Sequence, residues 1–528
     1  MYAEFQRKVF REYPVNGNGL SGRQPSHGAE TATGWRRTIG LLLFLVLLYE
    51  PAVAQDRTPR TFSDSSVKKL SFGRPGPDRR NAHSYMFFSE KDAPAHARVI
   101  QYRKIARVRY RRLLADAHLG LRFYKQLACV RCHPRQGRSL HHARSQIACR
   151  QCHGPDPIAG NRHYSSKLNP RRRFVQICAK CHKGATKAFA AYIVHEPNPA
   201  YKTTQKSFPL LFYAFWAMMA IAVGTFAVFL PHSIFWGWRE FRNTEKPETS
   251  DGSRRIMRFT KTQRFFHAVL IVTFVTQTAT GLARLFGGTA WGRSLASLFG
   301  GYNMTLQVHK WAGLFMLAAF GIHVIYMLGR IEWRRFPGSI YGPDSLLPRF
   351  EDVRQGLQHL GWMAGKHPHP RFDRWTYWEK FDYGGVMWGI FVLGSTGLIL
   401  YNPVFSSRYM PGWVFNAVLW VHRIEAILAM AHVFTIHFFI GHLRRHNFPM
   451  DLTIFEGSTD FAKVRHERPA WIERMHAQGT LQEALVAGEP HTLRLVFYAF
   501  GFAIMGACLY LLVNSLVHGI DLVKYFFV

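Results

Sequence analysis

A chain of 528 residues that is 48% hydrophobic and 15% aromatic yet carries a formal charge of +36 is not one soluble globule, because its apolar content and its basic excess must occupy different places. Six of its seven cysteines fall in three closely spaced motifs. Cys508 stands apart in an apolar run, so a fold held by structural disulfides is excluded.

In chain order, Trp35-Arg36-Arg37-Thr38 leads into the apolar run 39–49 and then Ala52-Val53-Ala54. A charged segment, a short apolar core and small residues at the end make a secretory signal. The core is too short to span a bilayer comfortably, so residues 1–54 read as an N-terminal extension and signal peptide cleaved after Ala54; an uncleaved anchor is the alternative. Residues 55–94, rich in Ser, Arg, Pro and Gly, read as a linker. Between Arg98 and Arg138 twelve Lys or Arg residues face one acid, Asp116. On an exported segment this imbalance disfavours nucleic acid and suits docking of an acidic electron-transfer protein, a periplasmic cytochrome or dehydrogenase; a solvated basic face is the plainer alternative.

The segment 95–206 contains Cys129-Val130-Arg131-Cys132-His133, Cys149-Arg150-Gln151-Cys152-His153 and Cys178-Ala179-Lys180-Cys181-His182. C-x-x-C-H is the attachment signature of c-type haem: the two thiols, here Cys129 with Cys132, Cys149 with Cys152 and Cys178 with Cys181, bond to the macrocycle. The adjacent His133, His153 or His182 lies under the iron. A zinc ribbon explains paired cysteines but not a histidine after every pair. Three covalent c haems are expected, in a mostly irregular exported domain. The spare histidines His118, His141, His142, His163 and His195 are the pool for distal ligands, with His163, His195 and then His142 favoured by their distance from the motifs.

After Lys206 the chain becomes membrane-like. The run 208–230 has no charge and is long enough to span at about 20 residues, and further spans are expected at 265–282, 311–329, 383–402, 424–441 and 495–517. Lys and Arg concentrate in the connections 231–264, 330–335 and 444–445, which places those connections in the cytoplasm. The first span then enters from outside, in agreement with an exported haem segment before it. The division that follows is 207–264, first membrane helix and loop; 265–443, a four-helix di-haem core with a cytoplasmic loop at 330–380; 444–493, a second cytoplasmic segment; and 494–528, the last membrane helix.

Ionisable residues within spans are costly and usually functional. His309 and His323 lie 14 residues apart, about 21 Å of rise and about 40° of rotation on an α-helix, and His422 and His437 lie 15 apart, about 60° of rotation. Two b haems stacked across the bilayer fit between such helices. Val308-His309-Lys310 echoes Val421-His422-Arg423, and Thr280-Gly281-Leu282 echoes Thr396-Gly397-Leu398, so the core reads as a duplicated two-helix unit. In that alignment His267 falls opposite Tyr383 and competes with His323 for the inner haem. His432 and His442 receive no ligand role. Arg264, Lys310 and Arg423 are candidates for the haem propionates, although basic residues at helix ends often act as anchors.

The segments Arg264-Phe265-Phe266-His267, His309-Lys310-Trp311-Ala312-Gly313, Glu379-Lys380-Phe381-Asp382-Tyr383-Gly384-Gly385 and His422-Arg423-Ile424-Glu425-Ala426 resemble the di-haem cytochrome b subunit of formate dehydrogenases and membrane-bound nickel-iron hydrogenases. The order of the whole chain is similar to fused cytochrome bc quinol oxidoreductases. The resemblance implies His267, His309, His422 and His437 as ligands, with a spacing of 14 rather than 15 on the last helix. It also implies a site for menaquinone or ubiquinone beside the inner haem, near the cytoplasmic face, where protons are exchanged.

The expectation is therefore an all-α membrane protein of the bacterial inner membrane. Six transmembrane helices include a four-helix di-haem core, and a tri-haem c domain lies in the periplasm. Its task would be electron transfer between quinone and periplasmic redox partners, in the direction of quinol oxidation. The alternatives are the membrane cytochrome of an exported dehydrogenase passing electrons inward and, from another class, a haem-based sensor or scaffold.

Overall fold

The computed structural model describes residues 166–242, 254–487 and 491–527, together with positions 129, 133, 136, 139–143 and 147–153. The signal peptide, the linker, the basic run before Cys129, Cys132, His118 and His163 lie outside the described residues, as does the side chain of His142.

Among the described residues, six helices are long and apolar enough to cross a membrane. With one further helix they are α1 (Pro209–Arg242), α2 (Lys261–Leu285), α3 (Tyr302–Gly329), the amphipathic α4 (Phe350–Met363), α5 (Tyr377–Tyr401), α6 (Val414–Leu443) and α7 (His491–Phe527). All six expected spans are present, each helix longer than the span expected. The helices continue past the apolar run into aromatic and basic residues that suit an interface.

The duplication extends further than the histidine motifs. α2 begins at the Thr260/Gln263 capping box and α5 at the Thr376/Glu379 capping box. In each, the cap threonine and the side chain three residues on satisfy one another's backbone N–H. Each cap precedes the equivalent positions His267 and Tyr383 by the same interval. α2 pairs with α3 and α5 with α6, and the two hairpins meet through α3 and α5. α1 packs along α6, with Phe215, Met218 and Ile424 buried together. α7 closes the other side, where Cys508, Leu511 and Leu512 bury against Leu282, Ala283, Met430 and Phe434. The four-helix core is thus flanked by α1 and α7, and α6 is its most enclosed member.

The antiparallel order gives the bundle two ends. The motif end carries residues 166–208 and the connections α2–α3 and α5–α6. The cap end carries α4 and residues 444–487. One departure from an all-α chain lies in the cap: β1 (Arg255–Met257) runs antiparallel between β2 (Ser458–Asp460) and β3 (Leu485–Val486). Strands this short hold because Ile256 is fully buried against Val464, Trp471, Ile472 and Leu481. The segments preceding α2, between α3 and α5, and following α6 form one packed cap. Arg474 links Asp344 and Asp373 across it. Arg258 and Arg468 both bind Glu379, at 2.6 and 3.0 Å.

Candidate functional site

At the motif end, α3 and α6 present His309 and His422 to each other with ring centroids 6.3 Å apart and planes at 76°. Metal–imidazole bonds of about 2 Å plus the distance from nitrogen to ring centre, roughly 1 Å on each side, put two axial imidazoles on one iron about 6 Å apart. The residues therefore fit a bis-imidazole haem. Their neighbours fix the tautomer. Thr280 Oγ1 lies 2.9 Å from His309 Nδ1, and Thr396 Oγ1 lies 2.9 Å from His422 Nδ1. Each hydroxyl donates its single proton to the carbonyl four residues back, Thr276 O at 2.7 Å and Val392 O at 2.6 Å. Toward the histidine it can only accept, so Nδ1 carries the proton and Nε2 is the unprotonated nitrogen, the one able to ligate a metal. Gln277 Nε2 donates to His309 O at 3.0 Å, and a side chain at Gly313 would collide with that amide.

Cations gather at this end. Arg284 and Lys310 act on one another electrostatically, and Arg284 Nη1 and Arg423 Nε are buried without a protein partner. Buried donors of this kind suit carboxylates. Arg264, the other basic candidate, is used differently, donating to the Phe455 carbonyl at the cap end. Arg284 was not legible as a site residue in advance, since a single arginine at a span end reads as an anchor.

At the cap end, Asp382 accepts from both His432 Nε2 at 2.8 Å and His437 Nδ1 at 3.1 Å. His437 is thus held through Nδ1, as its counterparts at the motif end are. His437 and His442 are the groups that act electrostatically on His267 of α2. His323 turns elsewhere: its Nε2 meets Tyr383 Oη at 2.9 Å and its Nδ1 is buried without a partner. The duplication relates these contacts, with His323–Tyr383 between α3 and α5 as the counterpart of His437–His267 between α6 and α2. From Val433 on, α6 winds as two wide i→i+5 turns, Val433–His437 and Phe439–Leu443. A wide turn absorbs one residue without added rotation, so the 15-residue interval from His422 to His437 acts like 14, the interval that separates His309 from His323.

In the haem-motif segment two further imidazole pairs have similar spacing. His153 and His195 are 6.0 Å apart, and His182 and His141 are 6.3 Å apart. His195 was favoured for such a role. At His182 the neighbour is His141, a member of the spare pool outside the three favoured residues. Burial pushes the Cys152 and Cys178 thiols above their ordinary value and lowers His182, which His141 lowers further.

This segment docks on the motif end. Asn416, fully buried, exchanges hydrogen bonds with the backbone of Ile193 at 3.1 Å in both directions and donates to Glu196 at 2.6 Å. Trp420 Nε1 also donates to Glu196. Phe189 packs against Phe415, and the absent side chain of Gly412 admits the backbone of Ala188, Phe189 and Tyr192. Glu196, the residue after His195, is therefore joined to a tryptophan two residues before His422.

Residues 258–455 match the family described as Prokaryotic cytochrome b561. The chain is 23% identical over 236 residues to the formate dehydrogenase, nitrate-inducible, cytochrome b556(Fdn) subunit of Escherichia coli (strain K12), covering 44% of this chain and 99% of that protein. It is 22% identical over 255 residues to the formate dehydrogenase cytochrome b556 subunit of Haemophilus influenzae, covering 47% and 95%. Together with six membrane-length helices, these similarities support a multi-pass membrane b-type cytochrome that takes part in electron transfer. The matched family region begins just before α2 and leaves out α1, α7 and the three C-x-x-C-H motifs.

Proposed function

We propose that this chain transfers electrons between the membrane quinone pool, menaquinone or ubiquinone, and a redox partner on the exported side, in the direction of quinol oxidation, using two b haems and three covalent c haems. The observation that carries the reading is the pair His309 and His422, supplied by the two halves of a duplicated unit, 6.3 Å apart and each with Nδ1 held by an equivalent threonine. Haem bound between such imidazoles supplies one-electron chemistry at its iron.

In this reading His309 and His422 are the outer ligands and His267 and His437 the inner ones. Arg284, Lys310 and Arg423 neutralise propionates at the outer site. His323, engaged with Tyr383, is left out of the ligand set. In the exported segment His153 and His195 serve the second motif and His182 and His141 the third. His133 serves the first, for which His163 and His142 are the remaining candidates. Glu196, Asn416 and Trp420 hold the exported segment against the outer site, so the two stay in register for electron transfer. The basic connections favour a cytoplasmic cap, with the motifs in the periplasm.

The test is the haem inventory of the purified chain and of His422→Ala. The wild type should hold three covalent and two acid-acetone-extractable haems, and the variant should lose one extractable haem while a short-chain quinol no longer reduces the covalent ones. A His422→Ala chain that keeps both extractable haems would overturn the pairing. A second reading, favoured by the dehydrogenase subunits among the similar proteins, makes this the membrane partner of an exported dehydrogenase passing electrons inward. Recovery of a stoichiometric dehydrogenase on mild solubilisation would favour it.

A further inference from the structure

The cap end contains a line of titratable groups that the haem ligands do not use. His232 Nε2 of α1 meets Tyr377 Oη at 2.5 Å, and the same hydroxyl meets His359 Nδ1 of α4 at 2.8 Å. His359 is fully buried and His232 is 7% exposed. They sit in an apolar cluster of Trp236, Phe372, Trp378 and Ile436, an environment that leaves unpaired polar atoms costly. Nevertheless His359 Nε2 and His232 Nδ1, the two nitrogens at the ends of the triad, are buried without a protein partner. A purely structural network would satisfy them.

Beyond His359 the line continues outward. His369 lies 5.5 Å from it, ring to ring, and the exposed His466 lies 6.3 Å from His369, with His446 5.9 Å further on. These are spacings that one bridging water covers. Toward the membrane core, Phe229 stacks on Phe381 and touches both His232 and His432, each at 6.3 Å, and His432 binds Asp382. Arg444 and Arg239 face the cluster, Arg444 4.4 Å above the Trp236 ring and paired with Glu240 and Glu467, Arg239 5.7 Å from the Trp362 ring. Burial and the neighbouring His369, His232 and Arg444 lower His359 to about 2, so its ring is neutral at working pH.

We propose that His232, Tyr377 and His359 form a proton relay between the quinone-reactive end of the membrane core and the water at the cap surface. The proposal rests on the quinone reading above and deepens it. Oxidation of a quinol releases two electrons and two protons; bound haem would supply only an electron acceptor, so the protons need a route of their own. Each proton is taken on His232 Nδ1 while the Nε2 proton passes to Tyr377 Oη. The hydroxyl proton passes to His359 Nδ1, and the Nε2 proton of His359 leaves toward His369 and His466. Every group ends neutral with its proton on the opposite nitrogen, and a ring flip resets it. A tyrosine hydroxyl between two imidazoles suits this hop, because it donates on one side and accepts on the other. None of the three touches the reacting quinone in this scheme; they act through it as proton carriers.

The experiment uses the full chain in proteoliposomes with a short-chain ubiquinol as donor. Tyr377→Phe keeps the ring and removes the hydroxyl. Its haem content and dithionite-reduced spectrum should match wild type, while the quinol-driven rate falls about a hundredfold, the low end of what a positioned acid–base group contributes. His359→Ala should behave alike and recover with added imidazole. Wild type should show a solvent deuterium isotope effect on the quinol-driven rate and none on dithionite reduction, a measurement that needs no variant. Full quinol-driven rates in both variants, or an equal fall with dithionite, would overturn the relay, as would a wild-type rate indifferent to deuterium. A wild-type chain that ubiquinol does not reduce at all would instead sink the quinone reading, and the relay with it.

Discussion

At the scale of single residues, Thr280 and Thr396 matter as much as the histidines whose tautomer they fix. Thr280→Val keeps the shape and removes the acceptor, so His309 Nδ1–H loses its partner. Loss of such a support typically weakens a metal site by about 10–100-fold. Outer b haem retention in Thr280→Val and Thr396→Val, measured by pyridine haemochrome on detergent washing, should fall while the covalent haems stay. At the inner site His437→Ala should remove one extractable haem and His323→Ala should not; the reverse result would return His323 to the ligand set. The histidines could be picked out because an imidazole inside a span has few bland uses. The threonines could not, because a threonine bonded to its own helix is common, and only the fold puts a particular one beside a particular ring.

At the scale of elements, α4 is fastened to α5 by Lys380 Nζ, 2.8 Å from both oxygens of Asp352, with the side chains 1% and 8% exposed. Removing one partner of a buried pair leaves an uncompensated charge, which typically destabilises by about 3–5 kcal/mol. Lys380→Ala should therefore lower the thermal midpoint of the cap, followed by tryptophan emission, with extractable haem unchanged. The double variant Lys380→Met/Asp352→Leu should recover much of the loss. The cap also predicts acid sensitivity. Burial alone would raise Glu467, but Arg444, Lys463 and Arg468 outweigh it and hold the carboxyl at about 2, against an ordinary value of 4.5. A depressed carboxylate stabilises the folded state fully above its unfolded value and loses that contribution as pH falls through the folded one. Cap stability should accordingly hold at neutral pH and decline from about pH 4.5 toward pH 2. The variant Glu467→Gln should be less stable at pH 7 and flatter in acid. The same elements show a limit of pattern reading: 15 residues on a regular helix imply about 60° of rotation, and only the wide turns after His432 bring His437 back to its counterpart's bearing.

At the scale of the whole molecule, the proposed orientation makes Arg444 cytoplasmic and the three haem motifs exported. A reporter fused after Arg444 should be active only if it functions in the cytoplasm. The join between the exported segment and the core offers a further check. Glu196 is held by Asn416 and Trp420, and burial raises its carboxyl above the ordinary value against the opposing pull of those hydrogen bonds and Arg423. Trp420→Phe removes one of those bonds. It should leave both b haems in place and slow reduction of the covalent haems after the b haems are reduced, read by stopped-flow absorbance; an unchanged rate would assign Trp420 a packing role only.

Sequence by itself determined the membrane-length helices found among the described residues and the echo between the two halves of the core, and it singled out the histidines proposed to ligate iron. These depend on hydropathy over about 20 residues, on short local motifs and on periodicity, all written along one stretch of chain. The tertiary structure decided which histidines face one another. It turned His323 to Tyr383, brought His141 to His182, and assembled three sequence-distant segments into one cap with a buried His–Tyr–His line. These are contacts between helices more than a hundred residues apart in several cases, set by helix rotation and packing. No local pattern encodes a rotation, because a shift of one residue turns a side chain by about 100° and leaves composition and periodicity unchanged.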